Sequence, residues 1–198
     1  MKTIILGGFL GSGKTTVLLQ LAKYITSKPD FPQVVILENE IGEVGVDNEI
    51  LEGAALAVES VFNGCICCTG AVDLIDAVQA IESQYEPDWL LTEATGMALP
   101  SSVKETLKRD LGLDAVILSI ADASRWDKLV RIAPELVKSQ TECADAVLIT
   151  KADKSDADEL TRIFAEVKTL SSGAPAYPVC ALDPINEKIF EELMEKAQ

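Results

Sequence analysis

The chain has 198 residues, of which 48% are hydrophobic and 5% aromatic, so it can bury one sizeable core and is not expected to be disordered. It carries 17 basic and 32 acidic residues, and the resulting net charge of −15 disfavours nucleic acid and anionic membranes as partners. No apolar stretch is long enough for a membrane helix, and the N-terminal MKTIILGG lacks a cleavable signal, so we expect a cytoplasmic protein.

Short apolar runs alternate with helical patterns along the chain, which predicts a single α/β domain over residues 1–198. The fold class is three-layer α/β/α with a mostly parallel central sheet, whose ligands bind at the carboxyl ends of the strands. The predicted strands are 3–6, 34–37, 89–91, 115–120, 146–149 and 176–179. The predicted helices are 14–27, 72–84, 101–111, 128–137 and 158–170, with a closing helix around residues 185–193.

The first loop carries the strongest motif, because GFLGSGKT matches GxxxxGK[ST] between a predicted strand and a predicted helix. The glycines let successive backbone N–H groups converge on phosphates, Lys14 reaches the β and γ oxygens, and the Thr15 hydroxyl ligates Mg²⁺. We therefore predict a P-loop NTPase fold. The phosphate-binding residues in this prediction are Gly8, Gly11, Ser12, Gly13, Lys14, Thr15 and Thr16.

The TKAD segment after the fifth predicted strand resembles the guanine-reading NKxD motif of GTPases. Asp153 accepts from two guanine nitrogens in this interpretation, which adenine does not allow, while the stem of Lys151 packs over the base. Thr150 stands where the motif has Asn, and its hydroxyl takes part of that role. After the sixth strand, the Ala181 amide is predicted to reach guanine O6. The alternative is that Asp153 is a helix-capping residue of an ATP-dependent P-loop enzyme.

The third predicted strand runs into TEATG, an acidic residue followed three positions later by glycine. P-loop proteins place such a carboxylate near the Mg²⁺ shell and such a glycine amide against the γ-phosphate. We therefore predict that Glu93 helps to hold Mg²⁺ and that Gly96 senses the γ-phosphate, the alternative being an ordinary capped turn. The residues predicted to serve hydrolysis are Lys14, Thr15, Glu93 and Gly96.

Three of the five cysteines, Cys65, Cys67 and Cys68, lie within four residues. Thiolates this close bind one divalent transition metal and leave a coordination position open, which suits a site that receives and passes on metal. A redox pair and a cluster of inert small side chains are the alternatives. Glu40 is a candidate fourth ligand, and Asp47 is a further candidate for the same ion or for Mg²⁺. Both lie in residues 40–64, which we expect to form a long irregular switch loop.

Together these motifs resemble the CobW-type P-loop GTPases of the CobW/HypB/UreG group. GGFLGSGKTT, ENEIGEVGVD, GCICC, TEATG and TKAD occur in the family's order and spacing, and the CxCC motif makes the likeness specific. The resemblance implies a GTPase metallochaperone that uses GTP, GDP and Mg²⁺ and handles zinc, cobalt or nickel through Glu40 and the three cysteines. It also implies a client metalloprotein or corrinoid protein as partner and homodimer formation.

The chain departs from the family pattern at three points. The second domain common in CobW-type proteins is not expected in these 198 residues, no histidine is present for metal storage, and Thr150 replaces Asn. The first two departures leave the device that recognises a client unidentified. The alternative function is a regulatory GTP switch or assembly factor in which the metal site is structural and the output is partner docking.

Overall fold

The computed structural model describes residues 1–38, 56–60, 71–94 and 99–197. The strands in these ranges are β1 Lys2–Gly8, β2 Val34–Glu38, β3 Leu56–Ser60, β4 Trp89–Glu93, β5 Ala115–Asp122, β6 Ala146–Thr150 and β7 Ala176–Pro178. The helices are α1 Lys14–Thr26, α2 Ala71–Tyr85, α3 Pro100–Leu111, α4 Trp126–Ile132, α5 Pro134–Thr141, α6 Ala157–Leu170 and α7 Glu187–Lys196. Short 3₁₀ helices follow β5 at Ala123–Arg125 and β6 at Ala152–Lys154.

All described strands belong to one sheet in the order β3-β2-β4-β1-β5-β6-β7, and every neighbouring pair is parallel. The expectation of a mostly parallel sheet is therefore confirmed. Because the strands share one direction, their carboxyl ends meet at one edge, where the loops of β1, β4, β5 and β6 are brought side by side.

The core lies on both faces of the sheet, since successive residues of a strand point to opposite sides. Ile4 and Leu6 of β1 pack in the cluster covered by α1 and α7, whereas Ile5 packs in the cluster covered by α2 to α6. This arrangement is the predicted three-layer α/β/α fold. Within the described ranges, no helix combines the length and the apolarity needed to cross a bilayer.

The prediction that residues 40–64 are irregular throughout was wrong, because β3 lies within that segment. β3 pairs with β2 from Val34↔Leu56 to Glu38↔Ser60 and forms the edge of the described sheet. β3 is short and lies in an acidic, glycine-containing segment, so its three apolar residues Leu56, Ala57 and Val58 do not stand out in the sequence.

The single helix predicted over residues 128–137 is two helices, α4 and α5. Pro134 occupies the first turn of α5, and Ala133 before it leaves the helical region with φ −143° and ψ 53°. Proline lacks the N–H that a continuous helix would need, and it restricts the residue before it to extended conformations. By contrast, α6 begins with a side-chain cap, since Asp156 accepts a hydrogen bond from the Glu159 amide at 2.9 Å.

Candidate functional site

A pocket of about 570 Å³ lies at the carboxyl edge of the sheet, where the loops after β1, β6 and β7 meet the end of β4. The sequence-predicted residues that line it are Gly11, Ser12, Gly13, Lys14, Thr15, Thr16, Glu93, Thr150, Lys151, Asp153 and Ala181. Segments separated by more than 160 residues in sequence therefore form one cavity. Its size is in the range of small-molecule binding sites.

The P-loop backbone needs glycine at two positions for different reasons. Gly13 stands at the N-cap of α1 with φ 94°, a left-handed conformation that L side chains rarely adopt. At Gly8, with φ 140°, a Cβ atom would lie 2.5 Å from the backbone oxygen of Ile120 in the neighbouring strand. Gly8 therefore allows β1 and β5 to approach each other, a packing role behind the pocket that the phosphate motif alone does not specify.

Lys14, Thr15 and Glu93 form a hydrogen-bonded group at the floor of the pocket. The Thr15 hydroxyl donates to Glu93 Oε2 at 2.9 Å, and Lys14 Nζ lies 3.5 Å from Glu93 Oε1. Lys14 also donates to the Phe9 carbonyl at 3.3 Å. Lys14 is 4% exposed and Glu93 7% exposed, so the charges of this group are shielded from bulk water. The arrangement supplies one cation for phosphate oxygens and two oxygen ligands suited to Mg²⁺.

Thr150 lies at the back of the P-loop. Its fully buried hydroxyl donates to the Ser12 carbonyl at 2.7 Å, with the Ala121 carbonyl 3.2 Å away. A buried hydroxyl needs such acceptors, because an unsatisfied polar group in the core is costly. The Thr150 hydroxyl therefore tethers the phosphate loop to β5 and β6.

Lys151 carries the TKAD loop towards the P-loop. Its backbone is left-handed, with φ 54° and ψ 32°, which costs about 1 to 2 kcal/mol for a residue other than glycine. Two contacts of its side chain offset that cost, since Nζ donates to the Gly11 carbonyl at 2.8 Å and to Asp122 Oδ2 at 2.7 Å. The strained residue thus joins the predicted base loop to the phosphate loop.

Asp153 and Ala181 line the same pocket from two adjacent loops. Hydrogen bonds from Lys154 and from the Cys180 thiol hold the pKa of Asp153 below its ordinary value of 3.8. Asp153 is therefore a carboxylate at neutral pH and can only accept hydrogen bonds. The Ala181 carbonyl accepts from Gln20 Nε2 at 2.7 Å, which fixes this loop against α1.

Asp122 and Arg125, which sequence reasoning missed, complete the site behind the P-loop. The Asp122 side chain is fully buried, and it accepts from Ser124 at 2.6 Å and from Arg125 Nε and Lys151 Nζ at 2.7 Å each. Arg125 also donates to the Leu10 carbonyl at 2.7 Å. Burial raises the pKa of Asp122, but the bonds from Lys151, Ser124 and Arg125 outweigh it and hold that pKa below its ordinary value.

The remaining predicted site residues, Glu40, Asp47, Cys65, Cys67, Cys68 and Gly96, lie outside the described residues. Over residues 1–38, 56–60, 71–94 and 99–197, no group of three or more Cys, Asp or Glu side chains is placed to hold a metal ion. The two cysteines in these ranges, Cys143 and Cys180, are both free and half-buried. The metal site stays a prediction.

Comparison with protein families agrees with the geometry of the pocket. The sequence model of the family described as CobW/HypB/UreG, nucleotide-binding domain, matches residues 2–178. The chain belongs to this family. Among solved structures, HypB from Helicobacter pylori in complex with nickel covers 100% of the chain with a TM-score of 0.70 and 23% identity, and the match spans 87% of that protein. At this identity the likeness concerns the fold of the CobW/HypB/UreG domain.

Two curated relatives of this CobW/HypB/UreG domain have names that refer to zinc. The zinc chaperone YjiA of Escherichia coli is 36% identical over 107 residues, which is 52% of this chain and 32% of YjiA. The zinc-regulated GTPase metalloprotein activator 1 of Dictyostelium discoideum is 30% identical over 141 residues, 65% of this chain and 28% of that protein. The matched region therefore spans about a third of the length of these relatives.

The Asp122→Asn variant tests the ionised state of the buried carboxylate. We expect it to lower the free energy of unfolding at neutral pH by roughly 1 to 3 kcal/mol, the usual contribution of hydrogen bonds to charged groups. The folded-state pKa of Asp122 lies below 3.8, so its contribution is fully present above that value and is lost as the pH falls through the lower folded-state pKa. The difference between the two proteins in urea titrations should therefore stay constant from neutral pH down to about pH 4 and shrink as the pH falls further.

Asp127→Asn is the matched control, because Asp127 is 63% exposed and pairs with Arg162 on the surface. It should change the free energy of unfolding by less than about 1 kcal/mol at any pH in this range. A difference between the wild-type protein and Asp122→Asn that stays constant as the pH falls below about 4 would contradict the ionised role of Asp122.

Proposed function

We propose that this chain binds and slowly hydrolyses GTP with Mg²⁺ and uses the nucleotide state to control the binding or delivery of a transition metal. Zinc is the first candidate, with cobalt and nickel as the others. The partner is a client metalloprotein or corrinoid protein, the site of action is the cytoplasm, and two copies of the chain form a homodimer. The match between this chain and its zinc-chaperone relatives spans about a third of the length of those relatives.

The observation that carries the nucleotide part is the shared pocket of the P-loop, Glu93 and the TKAD loop. A phosphate-binding floor and a base-reading carboxylate in one cavity fit a guanine nucleotide lying between Lys14 and Asp153. The donor set supports this orientation, because Lys14 donates to anionic oxygens while Asp153 accepts from N–H groups of a base. The Dictyostelium relative is named as a zinc-regulated GTPase metalloprotein activator, which also supports GTP as the nucleotide.

The residues at the pocket floor also fit Mg²⁺. Thr15 and Glu93 provide a hydroxyl and a carboxylate 2.9 Å apart, and oxygen ligands of this kind are the ones Mg²⁺ prefers. The predicted set is Thr15 and Glu93, directly or through water, with Asp47 as a further ligand. When bound, the ion would neutralise charge on the phosphates. Lys14 binds and orients phosphate oxygens, and Gly96 is proposed to contact the γ-phosphate.

The metal part of the proposal rests on the cysteine cluster and on topology. Cys65, Cys67 and Cys68 occur between β3, which ends at Ser60, and α2, which begins at Ala71. Glu40 follows β2 by two residues, and Gly96 follows β4 by three. Because β3, β2 and β4 are adjacent and parallel, the three strands end at the edge of the sheet that carries the pocket. A change at the γ-phosphate is thus proposed to act on the thiolates through neighbouring loops.

Intrinsic GTP hydrolysis is expected to be slow, on the order of 10⁻⁴ to 10⁻² s⁻¹, as in GTPases that lack an assisting partner. In the described ranges, Arg125 is the arginine that contacts the P-loop, but its bonds are to Leu10 and Asp122 at the back of the loop. Its position fits a structural role in the loop more than a direct contact with a transferring phosphate.

Guanine recognition is tested with Asp153→Asn. The Asn oxygen can still accept one hydrogen bond from the base, but without a negative charge. The Asn NH₂ group meets the second N–H donor of the base, so neither charge-assisted hydrogen bond remains. We expect GTP affinity to fall about 10- to 100-fold and most of the preference over ATP to disappear. The measurement is displacement of a fluorescent GTP analogue by GTP and by ATP. The matched control is Asp158→Asn, an exposed residue in the first turn of α6, which should bind as the wild-type protein does.

Equal displacement of the analogue by ATP and GTP from the wild-type protein would contradict guanine recognition. So would an Asp153→Asn variant that keeps its full preference for GTP.

Metal binding is tested by zinc titration of the Cys65→Ala, Cys67→Ala and Cys68→Ala variants. Removing any one thiolate from a site with three should weaken zinc binding at least about 10-fold, since each thiolate supplies a bond of about 2.3 Å. Cys143→Ala is the matched control, because Cys143 is half-buried in the turn after α5 and donates to the Ser139 carbonyl. Zinc affinity that is unchanged in all three cluster variants would contradict the metal site.

A further inference from the structure

Four consecutive backbone carbonyls of the P-loop each accept a hydrogen bond from a different side chain. Phe9 accepts from Lys14 at 3.3 Å, Leu10 from Arg125 at 2.7 Å, Gly11 from Lys151 at 2.8 Å and Ser12 from Thr150 at 2.7 Å. The Phe9 carbonyl also accepts from the Ser12 amide within the turn at 3.1 Å. The Leu10, Gly11 and Ser12 carbonyls take their side-chain donors from other elements, and these donors determine the directions of the three carbonyls. Three of these four donors are cationic.

The direction of the carbonyls decides the direction of the amides. In a planar trans peptide the C=O of one residue and the N–H of the next point to opposite sides. Holding the Leu10 and Ser12 carbonyls at the back of the loop therefore turns the Gly11 and Gly13 N–H groups the other way. Phosphate binding by a P-loop depends on such amides being aligned before the ligand arrives.

Asp122 positions two of the four donors. It accepts from Arg125 Nε and from Lys151 Nζ at 2.7 Å each, and its side chain is fully buried at the end of β5. Arg125 and Lys151 are 39% and 38% exposed, so their long side chains would sample several rotamers without a fixed partner. The guanidinium fork of Arg125 reaches two partners at once, with Nε on Asp122 and Nη2 on Leu10.

We propose that Asp122 and Arg125 are positioning residues for nucleotide binding, forming with Lys151 a clamp on the carbonyl side of the P-loop. This inference rests on the proposed function. The clamp fixes the Leu10 and Gly11 carbonyls and thereby aligns the loop for phosphates. Because Lys151 also belongs to the TKAD loop, the same carboxylate connects the base-reading loop to the phosphate loop.

The first test is Arg125→Ala, chosen because Arg125 is partly exposed and its loss leaves no cavity in the core. We expect the Kd for a fluorescent GDP analogue with Mg²⁺ to rise about 5- to 10-fold, the effect of losing a partly exposed charge-assisted hydrogen bond. The KM for GTP should rise by the same factor, while kcat changes less than about twofold, because the clamp acts equally before and during hydrolysis. A variant that merely misfolded in part would instead lower kcat at an unchanged Kd.

Two further variants separate positioning from charge. Arg125→Lys keeps the cation, but one ammonium group does not reproduce the fork, so at most part of the affinity should return. The double variant Asp122→Asn/Arg125→Ala should have a Kd for the GDP analogue within about twofold of that of the weaker-binding single variant, because both changes remove the same clamp. Arg131→Ala, an exposed arginine on α4, is the matched control and should bind as the wild-type protein does.

The proposal would be overturned by unchanged GDP affinity in Arg125→Ala, by full recovery in Arg125→Lys, or by fold-changes that multiply in the double variant. A fall in kcat at unchanged Kd would also overturn it. If the wild-type protein bound only an adenine analogue, guanine recognition would fail, yet the same comparison with that analogue would still decide the role of the clamp. A wild-type protein that bound neither analogue would contradict both the proposed function and the clamp.

Discussion

A phosphate loop must turn several backbone N–H groups to one side, and this requires donors for the carbonyl oxygens on the other side. In this chain the donors come from the ends of β5 and β6 and from the first turn of α1. Asp122 holds two of them from a buried position. The shape of the pocket therefore depends on a carboxylate that lies behind the phosphate-binding surface and is not itself expected to touch a ligand.

The local charge of the site differs from that of the whole molecule. The chain has a net charge of −15, yet Lys14, Lys151 and Lys154 line the pocket and Arg125 contacts the P-loop beside it. Each lysine pairs with a carboxylate, Lys14 with Glu93, Lys151 with Asp122 and Lys154 with Asp153, and of the three only Lys14, which is 4% exposed, is shielded from bulk water. The net negative charge disfavours nucleic acid and anionic surfaces as partners, whereas the pocket offers cationic donors to a small anion.

Sequence patterns predicted the strands and loops that form the pocket because each carries its own local pattern. β1, β4 and β6 are buried on both faces and consist of unbroken apolar runs, and each leads into a motif with a glycine or a charged residue at a fixed offset. β3 was missed because it lies in an acidic, glycine-containing segment that was expected to be irregular. The break between α4 and α5 was missed although Pro134 marks it in the sequence.

The clamp was not predictable in the same way. Asp122 and Arg125 lie in ADASR, which matches no motif, and their importance arises only where β5 meets the loops after β1 and β6. The role of Thr150 also became clear only in three dimensions. Thr150 stands where NKxD has Asn, and its hydroxyl is buried against the Ser12 carbonyl and tethers the P-loop.

The central claim is that the nucleotide in the pocket controls the metal affinity of the cysteine segment. The most direct measurement is a zinc titration of the protein loaded with GDP and with a non-hydrolysable GTP analogue, repeated with Cys67→Ala. The proposed coupling predicts Kd values for zinc that differ at least about fivefold between the two nucleotides, the lower end of ordinary coupling energies, and a difference that vanishes in Cys67→Ala. Equal zinc affinities in the two nucleotide states would contradict it.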